Sequence, residues 1–215
     1  MMDEEITIIN EKTRNEKIKS FLIENKKILT FLIVFLILLI LGFYSYKAYK
    51  DGYKKKLSDK YNNTVLEYNN GNKTEVIMSL KEIIEDKDNT YSPLALYFLI
   101  DNNLIRNENE VKKLFNIVID KTSLEPEIKN LIIYKKALYF ADSIDENELL
   151  NILKPVINSK SVWKSHSLYL VAEYFYSKGE KEKSKEFFNK ILNIEIANQD
   201  IIKEAQKRLN RDLSE

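Results

Sequence analysis

The chain has 215 residues, 44% hydrophobic and 31% charged, with a formal net charge of +1; this composition suits a folded chain rather than a disordered one. The balanced charge argues against a nucleic-acid binder, and the absence of cysteine excludes disulfides, thiolate metal sites and cysteine nucleophiles. Four glycines and three prolines in the whole chain disfavour turn-rich β architecture and glycine-lined phosphate loops, and predict an all-α fold.

Residues 1–27 read as a polar, charge-mixed tail, too short to form a core. Residues 28–46 carry no charge and contain the run FLIVFLILLIL from Phe31 to Leu41. As a helix these nineteen residues would be roughly 28 Å long, close to the ~30 Å of bilayer hydrocarbon. Eleven side chains worth about −0.3 to −0.6 kcal/mol each favour insertion by roughly 3 to 7 kcal/mol. Tyr44 and Tyr46 stand at one end, and Lys26 and Lys27 flank the other, as side chains at the headgroup level do. The block therefore predicts a transmembrane helix. A buried core helix of this length would show a polar face. The 27 residues before the block are long for a signal peptide, and no small-x-small site follows it, so the span is expected to remain as an anchor.

Orientation does not follow from charge. Residues 8–27 hold six basic side chains (Lys12, Arg14, Lys17, Lys19, Lys26, Lys27), and residues 47–66 also hold six (Lys47, Lys50, Lys54, Lys55, Lys56, Lys60), a tie under the positive-inside rule. Residues 47–57 suggest a helical stalk interrupted near Gly52. Its Lys54-Lys55-Lys56 run suits either anionic lipid or plain water.

From residue 58 onward the pattern is one helix after another. Ser92-Pro93 suggests an N-cap followed by proline at the first helical position. Asn107 with Glu110, and Asp145 with Glu148, have capping-box spacing ahead of apolar runs. Ser123 and Pro126 mark another start, and Pro155 is expected to kink or end its helix.

The helices recur in pairs. In residues 168–192, Leu168, Val171, Ala172 and Phe175 precede Gly179 at a turn, and Ser184, Phe188 and Ile191 follow it. This segment resembles a tetratricopeptide repeat, two antiparallel helices in about 34 residues. A shift of 35 residues meets Ile133, Ala137, Phe140, Leu149, Leu153 and Val156. A shift of 73 meets Ala95, Phe98, Leu99, Val111, Phe115 and Val118, and one of 108 meets Gly71, Val76, Leu80 and Ile83. A last helix, residues 199–213, would cap the stack. The expected domain at 58–215 is thus a tetratricopeptide-like α-solenoid of about four helix pairs, with an unrelated helical bundle as the alternative.

The acidic start Asp3-Glu4-Glu5, the single span near residue 30, the stalk and the repeat-like domain together resemble the YfgM family. These are ancillary subunits of the SecYEG translocon in Gram-negative bacteria. The chain differs in its aromatics: Phe21, Tyr44 and Tyr46 stand in and around the span, and Gly42 is the one glycine inside it. The resemblance implies a single pass through the inner membrane, a cytoplasmic tail at 1–27 and a periplasmic repeat domain. It also implies SecYEG and a membrane-anchored PpiD-like chaperone as partners, with exported proteins as clients.

Catalysis finds little footing. His166 is the single histidine, and no H-x₃-H, HExxH or G-x-S-x-G pattern accompanies it. Asp145 and Glu146 are better explained as a helix start than as an acid and base. No cofactor or metal is expected. On the repeat register Tyr134, Tyr169, Glu173 and Tyr176 should face a concave groove, where tyrosines offer apolar area and a hydroxyl to a protein segment. Ordinary wet aromatic edges would look the same. An adaptor for envelope assembly or cell division, and an anchored enzyme using Glu173 and His166, stand as rivals.

Overall fold

The computed structural model describes residues 16–194 and 198–213, and every described element is helical. Asp3, Glu4, Glu5, Lys12 and Arg14 lie outside the described residues. The chain divides into two compact units, Met1–Lys56 and Leu57–Glu215.

In the first unit, residues 16–24 are helical and Asn25 forms a turn, within what the sequence suggested was a polar tail too short for a core. Helix α1 (Lys26–Asn69) follows and carries the apolar run. It is long and apolar enough to cross a membrane, and none of its most apolar stretch is buried within the protein. The break expected near Gly52 does not occur: the helix passes through that residue. One glycine costs a helix roughly 1 kcal/mol, and the good helix formers on both sides outweigh it.

The second unit begins with the last turns of α1, where Leu57 and Thr64 are buried. It continues with α2 (Lys73–Glu85), α3 (Tyr91–Asp101), α4 (Glu108–Asn116), α5 (Pro126–Phe140), α6 (Glu146–Ile157), α7 (Lys164–Ser177), α8 (Lys181–Leu192) and α9 (Gln199–Asp212). Each of α2 to α9 packs on its sequence neighbours, and α7 also meets α5 and α9. The apolar positions of the repeat register supply the core. Val76, Leu80, Ala95, Leu99, Phe115, Ala137, Leu153, Val171, Phe175 and Phe188 are all nearly or fully buried.

Between α4 and α5 the chain widens into a π-helical turn, Ile117–Lys121. Val118 and Ile119 within this turn are both buried in the core. Gly179 turns α7 into α8 at φ +78°, a left-handed conformation natural to glycine. The Glu180 amide there donates to the Phe175 carbonyl at 2.9 Å, closing the helix end.

The helix starts test the capping signals. Asn107 accepts from the Glu110 amide at 3.1 Å and Asp145 from the Glu148 amide at 2.9 Å. The glutamate side chains point elsewhere: Glu110 pairs with Lys81 of α2 and Glu148 with Lys112 of α4. Asp145→Ala should therefore destabilise the protein by about 1 kcal/mol, read from urea unfolding in mild detergent, whereas Asp145→Asn should change little. Ser92 is a correction. Helix α3 begins two residues earlier, at Tyr91 with Thr90 as the N-cap, because Asp88 accepts from the amides of Thr90 and Tyr91 at 2.8 Å each. Ser92 is buried and donates to the Ile83 carbonyl of α2 at 2.9 Å. Pro126 opens α5 as expected. Pro155 lies inside α6, which runs on to Ile157.

Ion pairs join alternate helices. Besides Lys81–Glu110 and Lys112–Glu148, Lys183 of α8 reaches Glu146 of α6 at 2.8 Å. These contacts link α2 to α4, α4 to α6 and α6 to α8 in succession.

Candidate functional site

Helix α7 carries three of the four candidate binding residues, Tyr169, Glu173 and Tyr176. Their spacing of four and three puts them on one helical stripe. The stripe forms because the opposite positions of α7, Leu168, Val171, Ala172 and Phe175, are committed to the core.

The structure brings these three residues together and adds a fourth that the register did not single out. Arg208 of α9 donates Nε to Glu173 Oε1 at 2.6 Å and Nη2 to the other carboxylate oxygen. Its remaining nitrogen reaches Asp212, one helical turn on. The guanidinium also lies 4.5 Å from the centre of the Tyr176 ring, a cation–π arrangement. The Tyr169 ring meets Phe188 of α8 edge-on at 5.3 Å. At this end of the unit α9 is thus the neighbour of the α7 stripe. The sequence signal for it was Arg208 and Asp212 at an i,i+4 spacing beside Ala205 and Leu209, on a helix otherwise rich in charge.

Charge and burial reinforce one another here. The hydrogen bond to Glu173 holds the Arg208 guanidinium well above its already high range. The hydrogen bond from Arg211, joined by Arg208, holds the Asp212 carboxyl well below the usual carboxylate range. Burial first, then the charge of Glu173 and its hydrogen bond, push the Tyr169 phenol up to about 12, against the opposing charge of Arg208. The Arg208 and Asp212 side chains keep only 17% and 15% of their exposure, so solvent screens them less than an ordinary surface pair. A double-mutant cycle of Glu173→Gln and Arg208→Met should give a coupling of about 1 kcal/mol, the upper end for a pair still partly exposed. Urea unfolding of the full chain checks it, and the coupling should shrink at about 1 M salt.

Tyr134 stands apart on α5. Its ring stacks on Trp163 at 5.9 Å and meets the His166 ring edge-on at 5.9 Å. Trp163 and His166 are themselves 5.1 Å apart. Lys135, the next residue, places its ammonium 4.3 Å from the centre of the Tyr97 ring on α3. Candidate aromatics thus sit at the contacts between α3, α5 and α7. Burial raises the Tyr134 phenol, and burial with the charge of Asp101 raises that of Tyr97 further.

A pH dependence follows. Folding favours the neutral phenol of Tyr169, so its contribution is complete below its ordinary value of 10 and is lost as pH rises through about 12. The full chain should lose stability over that alkaline window. Tyr169→Phe should lose less of it, and its phenolate absorbance titration should lack one late step.

Among the described residues no group of three histidine, cysteine, aspartate or glutamate side chains is arranged to hold a metal ion. Both oxygens of Glu173 are engaged by Arg208, while His166 belongs to the aromatic group with Tyr134 and Trp163. A cleft of about 620 Å³ lies among Ser159, Lys160, Lys164, Leu168 and Lys190. Lys190 already pairs with Glu186 at 2.6 Å. No protein-family model, curated protein or solved structure matches the chain.

Proposed function

We propose that the chain is a non-enzymatic scaffold, anchored in a membrane by α1 through residues 28–46, with a tetratricopeptide-like solenoid of about four helix pairs in its second unit. The observation that carries this reading is the recurrence of equivalent contacts near the repeat length. Lys112 and Glu148 are 36 residues apart and Glu146 and Lys183 are 37 apart, while the first pair of the series, Lys81 and Glu110, has a shorter separation. Separations near the repeat length arise when the second helix of one pair packs beside the second helix of the next. Most of the register positions taken from the sequence are buried, although Phe98 is half-buried and Gly71 exposed. A single helix pair cannot cover its own apolar stripe, whereas stacked pairs bury a continuous core.

The resemblance to the YfgM family carries the rest of the proposal. The tail lies in the cytoplasm and the repeat unit in the periplasm, where it joins the SecYEG translocon to a PpiD-like chaperone and to exported clients. An anchor raises the local concentration of the repeat unit beside its partners, so weak contacts suffice. Tyr134, Tyr169, Glu173 and Tyr176 are the proposed contact residues. The aromatic group on α5 and α7 offers area, and the α7 stripe offers contact where α9 leaves it accessible. Affinity purification in mild detergent tests the partners: SecYEG and the chaperone should be recovered with the chain. Recovery of division or envelope-assembly proteins without them would overturn the translocon assignment in favour of the rival adaptor. Protease added to spheroplasts should digest the second unit, and its full protection would overturn the orientation.

A further inference from the structure

The helix at residues 16–24, just ahead of α1, leaves its apolar side chains without a partner. Ile18, Phe21 and Leu22 fall at i, i+3 and i+4 and so share one stripe. They are 51%, 58% and 50% exposed. Glu16 and Ser20 lie on the opposite side together with the exposed Ile23, with Lys17 and Glu24 on one flank of the stripe and Lys19 on the other. Across residues 16–27 there are four lysines (Lys17, Lys19, Lys26, Lys27) against two glutamates (Glu16, Glu24), an excess of two positive charges. A short amphipathic helix with lysines beside its apolar stripe is the pattern of a helix lying in the lipid headgroup layer, its lysine heads reaching anionic headgroups.

The junction permits that placement. At Asn25 the side-chain amide donates to the Phe21 carbonyl at 3.0 Å, the same oxygen that accepts from the Asn25 backbone amide. The helix is interrupted by a single turn residue at Asn25, and the duplicated bond would hold the Phe21 carbonyl if the chain bends there. From the proposal that α1 spans the membrane, on which this inference rests, the stripe stands at the edge of the hydrocarbon. We infer that residues 16–24 form an interfacial helix, bent at Asn25 and docked on the anionic lipid surface of the leaflet from which α1 begins.

The absence of cysteine makes the test clean, because one introduced cysteine carries one spin label. The full chain is reconstituted in phosphatidylcholine vesicles with and without phosphatidylglycerol. Labels are placed one at a time through Ile18→Cys, Ser20→Cys, Phe21→Cys, Leu22→Cys, Glu24→Cys and Leu36→Cys. In anionic vesicles the labels at 18, 21 and 22 should be accessible to oxygen and shielded from a water-soluble nickel complex, with the reverse at 20 and an intermediate value at the flank position 24. The contrast should weaken without anionic lipid. Equal nickel accessibility at all five positions would overturn the interfacial helix. A contrast identical in both vesicles would overturn the anionic surface as its partner. The label at 36 separates the two readings: deep in lipid, it leaves the span standing whatever the first five show, and exposed to water, it overturns the span and the interfacial helix together.

Discussion

Ile33→Lys combined with Leu36→Lys should move the chain from the membrane to the soluble fraction. Each substitution removes an apolar side chain worth about −0.3 to −0.6 kcal/mol and adds a charge costing about 2.5 to 3.5 kcal/mol at the centre of a span. The pair therefore opposes insertion by roughly 6 to 8 kcal/mol, as much as the whole apolar run contributes in its favour. Both residues belong to the first unit, and the second begins at Leu57. Helicity of that unit should survive, and circular dichroism of the soluble protein checks it. Alkaline carbonate extraction reads the partition. The conservative Leu36→Val should stay in the membrane pellet. If the doubly charged variant also stayed there, α1 would not be the anchor.

The second large effect is expected at Phe188→Ala. Phe188 has no exposure and sits in a cluster with Leu168, Ala172, Ile191, Ala205 and Leu213, drawn from α7, α8 and the last helical segment. Removing a buried phenylalanine ring forfeits its transfer free energy and leaves a cavity, together about 3 to 5 kcal/mol. The helices around it carry the Tyr169 edge contact and the Arg208 clasp, so the cavity cannot close without moving the α7 stripe. For a chain of this size the loss lowers Tm by roughly 10 °C, read by thermal circular dichroism in mild detergent. Phe187, the neighbouring residue, is half-buried and stacks on Phe175 at 5.5 Å. Phe187→Ala should cost clearly less. Equal shifts for the two variants would contradict the packing of α8 between α7 and α9.

The proposed binding face is partly a surface that the protein covers itself. Arg208 sits between Glu173, Tyr176 and Asp212, so a partner reaching this part of α7 must either accept α9 as part of the surface or compete with it. The half-buried rings of Tyr134, Trp163 and His166 pack on one another rather than under Arg208. Weakening the clasp with Arg208→Met therefore affects the α7 stripe first and the α5 aromatic group little.

Much of the architecture was legible along the chain because it depends on local chemistry. A charge-free run of nineteen residues is visible without any neighbour. Asn107 and Asp145 cap helices because the bond they make closes within three residues. The start of α3 was misplaced because Asp88 accepts from the amides of Thr90 and Tyr91 and so starts the helix earlier, while the Ser92 hydroxyl has a bond partner on another helix. The helix at residues 16–24 was missed because its stripe is short and its charges are mixed.

By itself the sequence determined the all-helical class, the apolar helix near the N-terminus and many of the positions that turn inward, since periodicity and capping act over a few residues. Only the tertiary structure decided that Lys112 meets Glu148, that Tyr134 stacks on Trp163, and that Arg208 closes over Glu173. Those contacts join residues 29 or more apart, and packing geometry alone selects among the many lysines, glutamates and tyrosines that could have met.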